Sequence, residues 1–207
     1  MKLQSALIAV FLSGLTTSLT AEEISVISWN IENWGNSDAA TIGRDLRDDF
    51  SGIDIFGLNE VSDDEDYELY AEHASEDEDF TYNYVAGTTG RNVRLGILFN
   101  AERFTLNDTY EMFDMMGTPA PGKPRTGRAP LVADFTTKDT GLQFLFVVNH
   151  FHRGDERRRI EQAELFPAWA GEQTLPIIAT GDYNFDFDLD SQEGNVAYEV
   201  FMDAGTF

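Results

Sequence analysis

Apolar residues along this chain arrive in short runs that stop on polar ones. Ile24, Val26 and Ile27 lead into Ser28-Trp29-Asn30, and Ile53, Ile55, Phe56 and Leu58 into Asn59-Glu60-Val61. Phe144, Phe146, Val147 and Val148 lead into Asn149-His150-Phe151-His152. Pro176, Ile177, Ile178 and Ala179 lead into Thr180-Gly181-Asp182-Tyr183-Asn184. Runs of this length, bounded by Gly and polar residues, predict buried strands. Strand ends suit chemistry, because the strand is rigid and the loop after it can face a ligand. Asp182 and Asn184, two residues apart, fall on one side of the pleat.

Other stretches change to helical spacing. Ile42, Leu46 and Phe50 predict a helix over 39–50, with Asp38 or Ser37 placed to cap it and Ser51-Gly52 to stop it. If the flanking strands are parallel, this unit puts Asn30 and Glu60 at one sheet edge. Tyr67, Leu69 and Tyr70 predict an acidic-faced helix within 62–79, with Glu76-Asp77-Glu78-Asp79 as loop. Strands are expected at 82–85 and 93–99, joined at Gly87-Thr88-Thr89-Gly90, and over 104–113. The stretch 115–126 holds three prolines and two glycines and reads as a loop. A hairpin is expected over 128–135 and 142–148. A helix over 153–169 follows, which Pro167 should kink or end.

Composition narrows the class. The 207 residues, 42% hydrophobic with 16 Phe, suit one globular domain. The formal charge of −23 leaves no basic stripe to grip a polyanion by charge alone. Acidity on this scale has two readings, a solvated surface suited to a saline medium or low-affinity calcium binding by the acidic clusters. With zero cysteines, disulfides and thiolate metal sites are excluded. Lys2 followed by the apolar stretch 6–15 predicts a signal peptide over 1–21, hence a secreted or periplasmic protein with its domain over 22–207. No P-loop and no Gly-x-Ser-x-Gly motif is present.

The four strand ends, Ser28-Trp29-Asn30, Asn59-Glu60-Val61, Asn149-His150-Phe151 and Gly181-Asp182-Tyr183-Asn184, stand in the order found in the endonuclease/exonuclease/phosphatase superfamily. The chain resembles that superfamily from Ile24 to about Asp190. The resemblance implies an α+β fold, a four-layer α/β/β/α sandwich of two mixed sheets. It implies a divalent-metal-dependent phosphodiester hydrolase, an extracellular endonuclease on DNA or RNA. The alternatives are a secreted sphingomyelinase or other phospholipid phosphodiesterase acting on a lipid head group, and a truncated, non-catalytic binding domain. No stable protein partner is expected; the chain should be a monomer.

By the same resemblance, Asn30 and Glu60 would hold the metal: Mg2+, or else Mn2+ or Ca2+. Magnesium takes a few protein oxygens and keeps several waters. Asp182 would orient or deprotonate a water, Asn184 would hold that water or a phosphate oxygen, and His150, if protonated, would donate to the phosphate. Arg94 and Arg128 stand where the superfamily often has a phosphate-binding arginine, though each could equally pair with a surface acid. Arg153, Arg157, Arg158 and Arg159 form the one basic cluster, open either to a polyanion or to helical pairing with Glu156, Glu161 and Glu164. Asp186, Asp188 and Asp190 begin like a calcium loop, but Ser191 and Ala197 break the pattern. The superfamily closes with a further strand and a Ser-Asp-His run. No histidine follows His152 here. The expectation is therefore a domain lacking its last strands, catalytically poor as it stands, with an unpaired edge on its second sheet.

Overall fold

A computed structural model describes residues 22–32 and 38–207. The signal-peptide segment, Ser37 and the Asn33–Gly35 part of the first motif lie outside them.

Three apolar clusters separate four layers. The first sheet is ordered β1-β2-β4-β3, from β1 (Val26–Asn30), β2 (Ile55–Val61), β3 (Tyr82–Ala86) and β4 (Arg94–Asn100). β1 and β2 are parallel, as the strand–helix–strand reading required, and the other pairs are antiparallel. The second sheet is ordered β5-β6-β7-β8, from β5 (Phe104–Glu111), β6 (Leu131–Thr137), β7 (Gln143–His150) and β8 (Ile177–Asp182); only β7 and β8 run parallel. Both sheets are thus mixed. Among the described residues, β1 and β8 each stand at a sheet edge.

Between the sheets lie Ile55, Ile97, Phe99, Phe104, Phe135, Phe144 and Phe146. Each buried Phe here stabilises the fold by roughly 1.5–3 kcal/mol relative to an exposed one. Outside the first sheet, α1 (Ala39–Asp49) and α2 (Asp64–Ser75) bring Ile42, Leu46, Tyr67 and Tyr70 against Phe56 and Leu58. Outside the second, α3 (Glu156–Glu172) and α4 (Val196–Asp203) bring Ala163, Phe166, Ala197 and Phe201 against Val132 and Val147. The architecture is the expected α/β/β/α sandwich.

Several expected boundaries move. The strand expected over 104–113 ends at Glu111, and a 3-10 turn at Phe113–Met116 opens the proline-rich loop. Pro167 does not end α3, which continues to Glu172 with Pro167 buried inside it. Tertiary packing of the flanking Phe166 and Ala170 outweighs one lost helical hydrogen bond. Helix α4 was not expected at all. Its signals are Asn195, whose side chain accepts from the Tyr198 amide, and the buried pair Ala197 and Phe201 one turn apart.

Candidate active site

At one end of the sandwich the phenylalanines give way to small and polar inward positions. Gly57 on β2 faces Thr180 and Val148; a Cβ there would sit 2.4 Å from the Thr180 hydroxyl, so glycine lets the sheets approach. Across this narrow gap the Gly181 amide donates to Ser28 Oγ at 2.9 Å, and Asn59 Nδ2 donates to the Asn149 carbonyl at 2.7 Å. One step further out, Asn30 Nδ2 donates to Asp182 Oδ2 at 3.1 Å. The β1, β2, β7 and β8 ends therefore converge, as their sequences suggested.

Glu60 reaches the site through a backbone irregularity. The β2–β4 register shifts between Asn59 and Val61, and Glu60, the unpaired residue, has φ 66°. A bulge of this kind re-aims one side chain. A non-glycine residue in the left-handed region costs on the order of 1–3 kcal/mol and persists where surrounding structure enforces it. Asn184 is a second such residue, with φ 50°. Its amide N–H donates to Asp182 Oδ1 at 2.9 Å, and its Nδ2 donates to the Phe151 carbonyl at 2.9 Å. Asn184 thus ties the end of β8 to the end of β7.

His150 lies between the two acids. Its Nε2 is 3.6 Å from Glu60 Oε1 and 3.8 Å from Asp182 Oδ2, and the residue is 6% exposed. Burial, followed by the charge of Arg128, pushes its pKa down to about 4. That shift favours the neutral ring near pH 7, whereas the expected phosphate-donor role was conditional on a protonated one. With two carboxylates facing Nε2, the single proton belongs there, and Nδ1 is buried without a hydrogen-bond partner.

The two candidate arginines part company. Arg128 Nε donates to the Val93 carbonyl at 2.9 Å. Burial pulls the Arg128 pKa down, and the charges of Glu60 and Asp182 oppose that shift, so this guanidinium feels the field of the site's acids. Arg94 forms an ion pair with Asp64 of α2, the surface alternative weighed for it.

Two members of the basic cluster, Arg158 and Arg159, serve the fold, while Arg153 and Arg157 are exposed. Arg158 and Arg159 are 4% and 7% exposed. Arg158 donates to the carbonyls of Met116, Gly117 and Thr126, and Arg159 to those of His152 and Arg153. Only Arg157 makes one of the expected helical pairs, with Glu161 at 3.7 Å. His152 packs on the same loop, with Nε2 2.9 Å from the Thr126 carbonyl. Asp188 closes a local turn, its Oδ1 accepting from the Asp190 and Ser191 amides. Among the described residues, no group of three or more His, Cys, Asp or Glu is placed to hold a metal ion. Sequence reasoning quoted Ser28, Asn59 and Asn149 within the strand-end motifs without giving them a role, and passed over Gly57. Their signal was small or polar residues at inward strand positions that elsewhere carry Ile, Val or Phe.

No family model matches the sequence. No curated protein matches it by sequence. Solved structures match it in fold. An endonuclease/exonuclease/phosphatase family protein from Bacteroides thetaiotaomicron is 23% identical, with a TM-score of 0.65 over 88% of this chain and 69% of that one. The mannosyl-6-phosphatase Bt3783 of the same organism is 22% identical, with a TM-score of 0.60 over 88% of this chain and 71% of the other. D. rerio TDP2, solved with a single-stranded DNA product, is 19% identical, with a TM-score of 0.60 over 78% of this chain and 60% of that one. The two sheets, their outer helices and these likenesses together give the chain the fold of the endonuclease/exonuclease/phosphatase proteins.

Proposed function

We propose that the chain is a divalent-metal-dependent phosphodiester hydrolase, exported from the cell as a monomer, and that it cuts nucleic acid. The observation that carries this reading is the convergence of Asn30, Glu60, His150 and Asp182 at one end of the sandwich, within the field of the Arg128 charge. The donor set is oxygen-rich and sparse, which fits a cation that takes one or two protein groups, waters and substrate phosphate. Glu60 and the Asn30 carbonyl oxygen would hold it, with Mg2+ preferred over Mn2+ or Ca2+. When bound, such an ion neutralises charge on the phosphate and makes water a better nucleophile.

The remaining chemistry belongs to the side chains. Asp182, fixed by the Asn30 amide and the Asn184 N–H, orients a water or takes its proton. One Asn184 Nδ2 hydrogen goes to the Phe151 carbonyl; the second can donate to a phosphate oxygen, and the side-chain oxygen can accept from a water. Neutral His150 donates from Nε2 to a phosphate oxygen placed between the acids. Arg128 adds a fixed positive charge on the phosphate side.

The test is nicking of plasmid DNA, and cleavage of RNA, by the purified chain with Mg2+ or with chelator. Chelator-sensitive cleavage supports the reading. Cleavage of sphingomyelin alone would move the substrate to lipid. No hydrolysis of any diester, with no Mg2+ binding, would leave the non-catalytic alternative.

A further inference from the structure

Glu111, the last residue of β5, belongs to the second sheet, yet its carboxylate holds a loop of the first. Oε1 accepts from the Thr89 amide at 3.0 Å and from the Thr89 hydroxyl at 2.6 Å, and Oε2 accepts from the Thr88 hydroxyl. The Thr89 hydroxyl, having donated to Glu111, in turn accepts the Ala129 amide at 2.9 Å. Ala129 follows Arg128. The Arg128 side chain lies over the same loop: its Nε donates to Val93, and a Cβ on Gly90 would meet the Arg128 Cγ at 2.8 Å. The Val93 amide closes the turn on the Gly90 carbonyl at 3.2 Å. Gly90, at φ 107°, leaves room for both approaches.

From this relay we infer that Glu111 is a positioning residue for Arg128, acting through Thr89 and the 87–93 loop, so that it sets how the substrate phosphate is gripped. The inference rests on the reading of Arg128 as the phosphate-side cation. Its physical logic is preorganisation. A guanidinium on a free loop loses conformational entropy when it binds; one already fixed at Nε and along its stem loses less. Burial alone would push the Glu111 pKa up, but the hydrogen bonds from Thr88 and Thr89 outweigh it and hold the carboxyl below its usual range. The relay is therefore formed at neutral pH.

The experiment compares Glu111→Ala, Glu111→Gln, Thr89→Val and Arg128→Ala with the unaltered chain, in Mg2+, on a small chromogenic phosphodiester. Glu111→Ala and Thr89→Val should raise KM or the inhibition constant of inorganic phosphate about 3–10-fold while kcat changes less than twofold. Glu111→Gln, which keeps one acceptor for Thr89, should recover most of that loss. In the Arg128→Ala background, Glu111→Ala should add nothing. Additive losses would assign Glu111 a purely structural role and overturn the inference. A second readout needs no activity. The Arg128 Nε–H resonance in an arginine-labelled sample should be slow to exchange, and Glu111→Ala should make it fast. An unchanged resonance overturns the inference. If that resonance responds but Arg128→Ala leaves catalysis untouched, the reading of Arg128 fails and the positioning stands.

Discussion

Asn30 Nδ2 donates to Asp182 Oδ2 at 3.1 Å, joining the edge strands of two different sheets across 152 positions of sequence. The contact neutralises part of a carboxylate that also faces His150. Replacing Asn30 by Asp keeps the shape and sets two carboxylates against each other. The expected result is a loss of about 1–3 kcal/mol of stability at pH 7 in chelator, because an amide donor becomes a like charge. The loss should shrink in acid, where a shared proton replaces the amide hydrogen. Denaturant unfolding at pH 7 and pH 4 checks both parts. Equal stability of the two chains at pH 7 would show that this bond does not hold the sheet edges together.

Glu60 is held at φ 66° where β2 and β4 lose register. Glycine adopts that conformation without strain. Glu60→Gly should therefore raise stability by about 1 kcal/mol while abolishing Mg2+-dependent hydrolysis, since strain stored at a site is released when the site is removed. Thermal unfolding and diester hydrolysis, measured on the same preparation, decide it. A fall in stability would mean that the carboxylate stabilises more than its backbone strain costs.

Arg158 is buried and makes its hydrogen bonds to main-chain carbonyls of the 116–126 loop. Arg158→Met keeps much of the volume but leaves those carbonyls without their donor. The expected cost is about 2–4 kcal/mol in unfolding free energy. Affinity for DNA, by contrast, should be unchanged at a temperature where the variant remains folded. A loss of DNA affinity with intact stability would restore the polyanion role that the sequence allowed.

The contrast between Arg158 and His150 shows what sequence could and could not convey. The strand ends carrying Asn30, Glu60, His150 and Asp182 were legible because each follows an apolar run that must be buried, and burial fixes where the run stops. The parallel pairing of β1 with β2 stood in the sequence only as a condition, which the intervening helix permits and the structure meets. Arg158 was not, because helical periodicity marks a face but does not say whether a cation on it meets solvent or a returning loop. The charge state of His150 was equally hidden. It depends on burial and on the charge of Arg128, which comes from the loop before β6. Helix α4 was missed because an eight-residue helix offers barely two turns of pattern.

His152 supplies the last prediction, through the sign of its titration. Burial, then the charge of Arg158, lowers its pKa, while Asp155 and the Thr126 carbonyl oppose the shift and Arg128 adds to it. The folded chain therefore refuses a proton that the unfolded chain accepts below about pH 6.5. Stability should fall as pH drops through 6.5 and go on falling until the folded ring protonates. His150, depressed to about 4, contributes in the same direction across the same window. Each ring adds at most about 1.4 kcal/mol per pH unit to the slope. His152→Gln keeps a donor for the Thr126 carbonyl and removes the titration. Its unfolding free energy, followed in chelator from pH 7 to pH 4, should fall less steeply than that of the unaltered chain, with the difference appearing first near pH 6.5. Identical slopes would mean that His152 takes up its proton as readily in the folded protein as out of it.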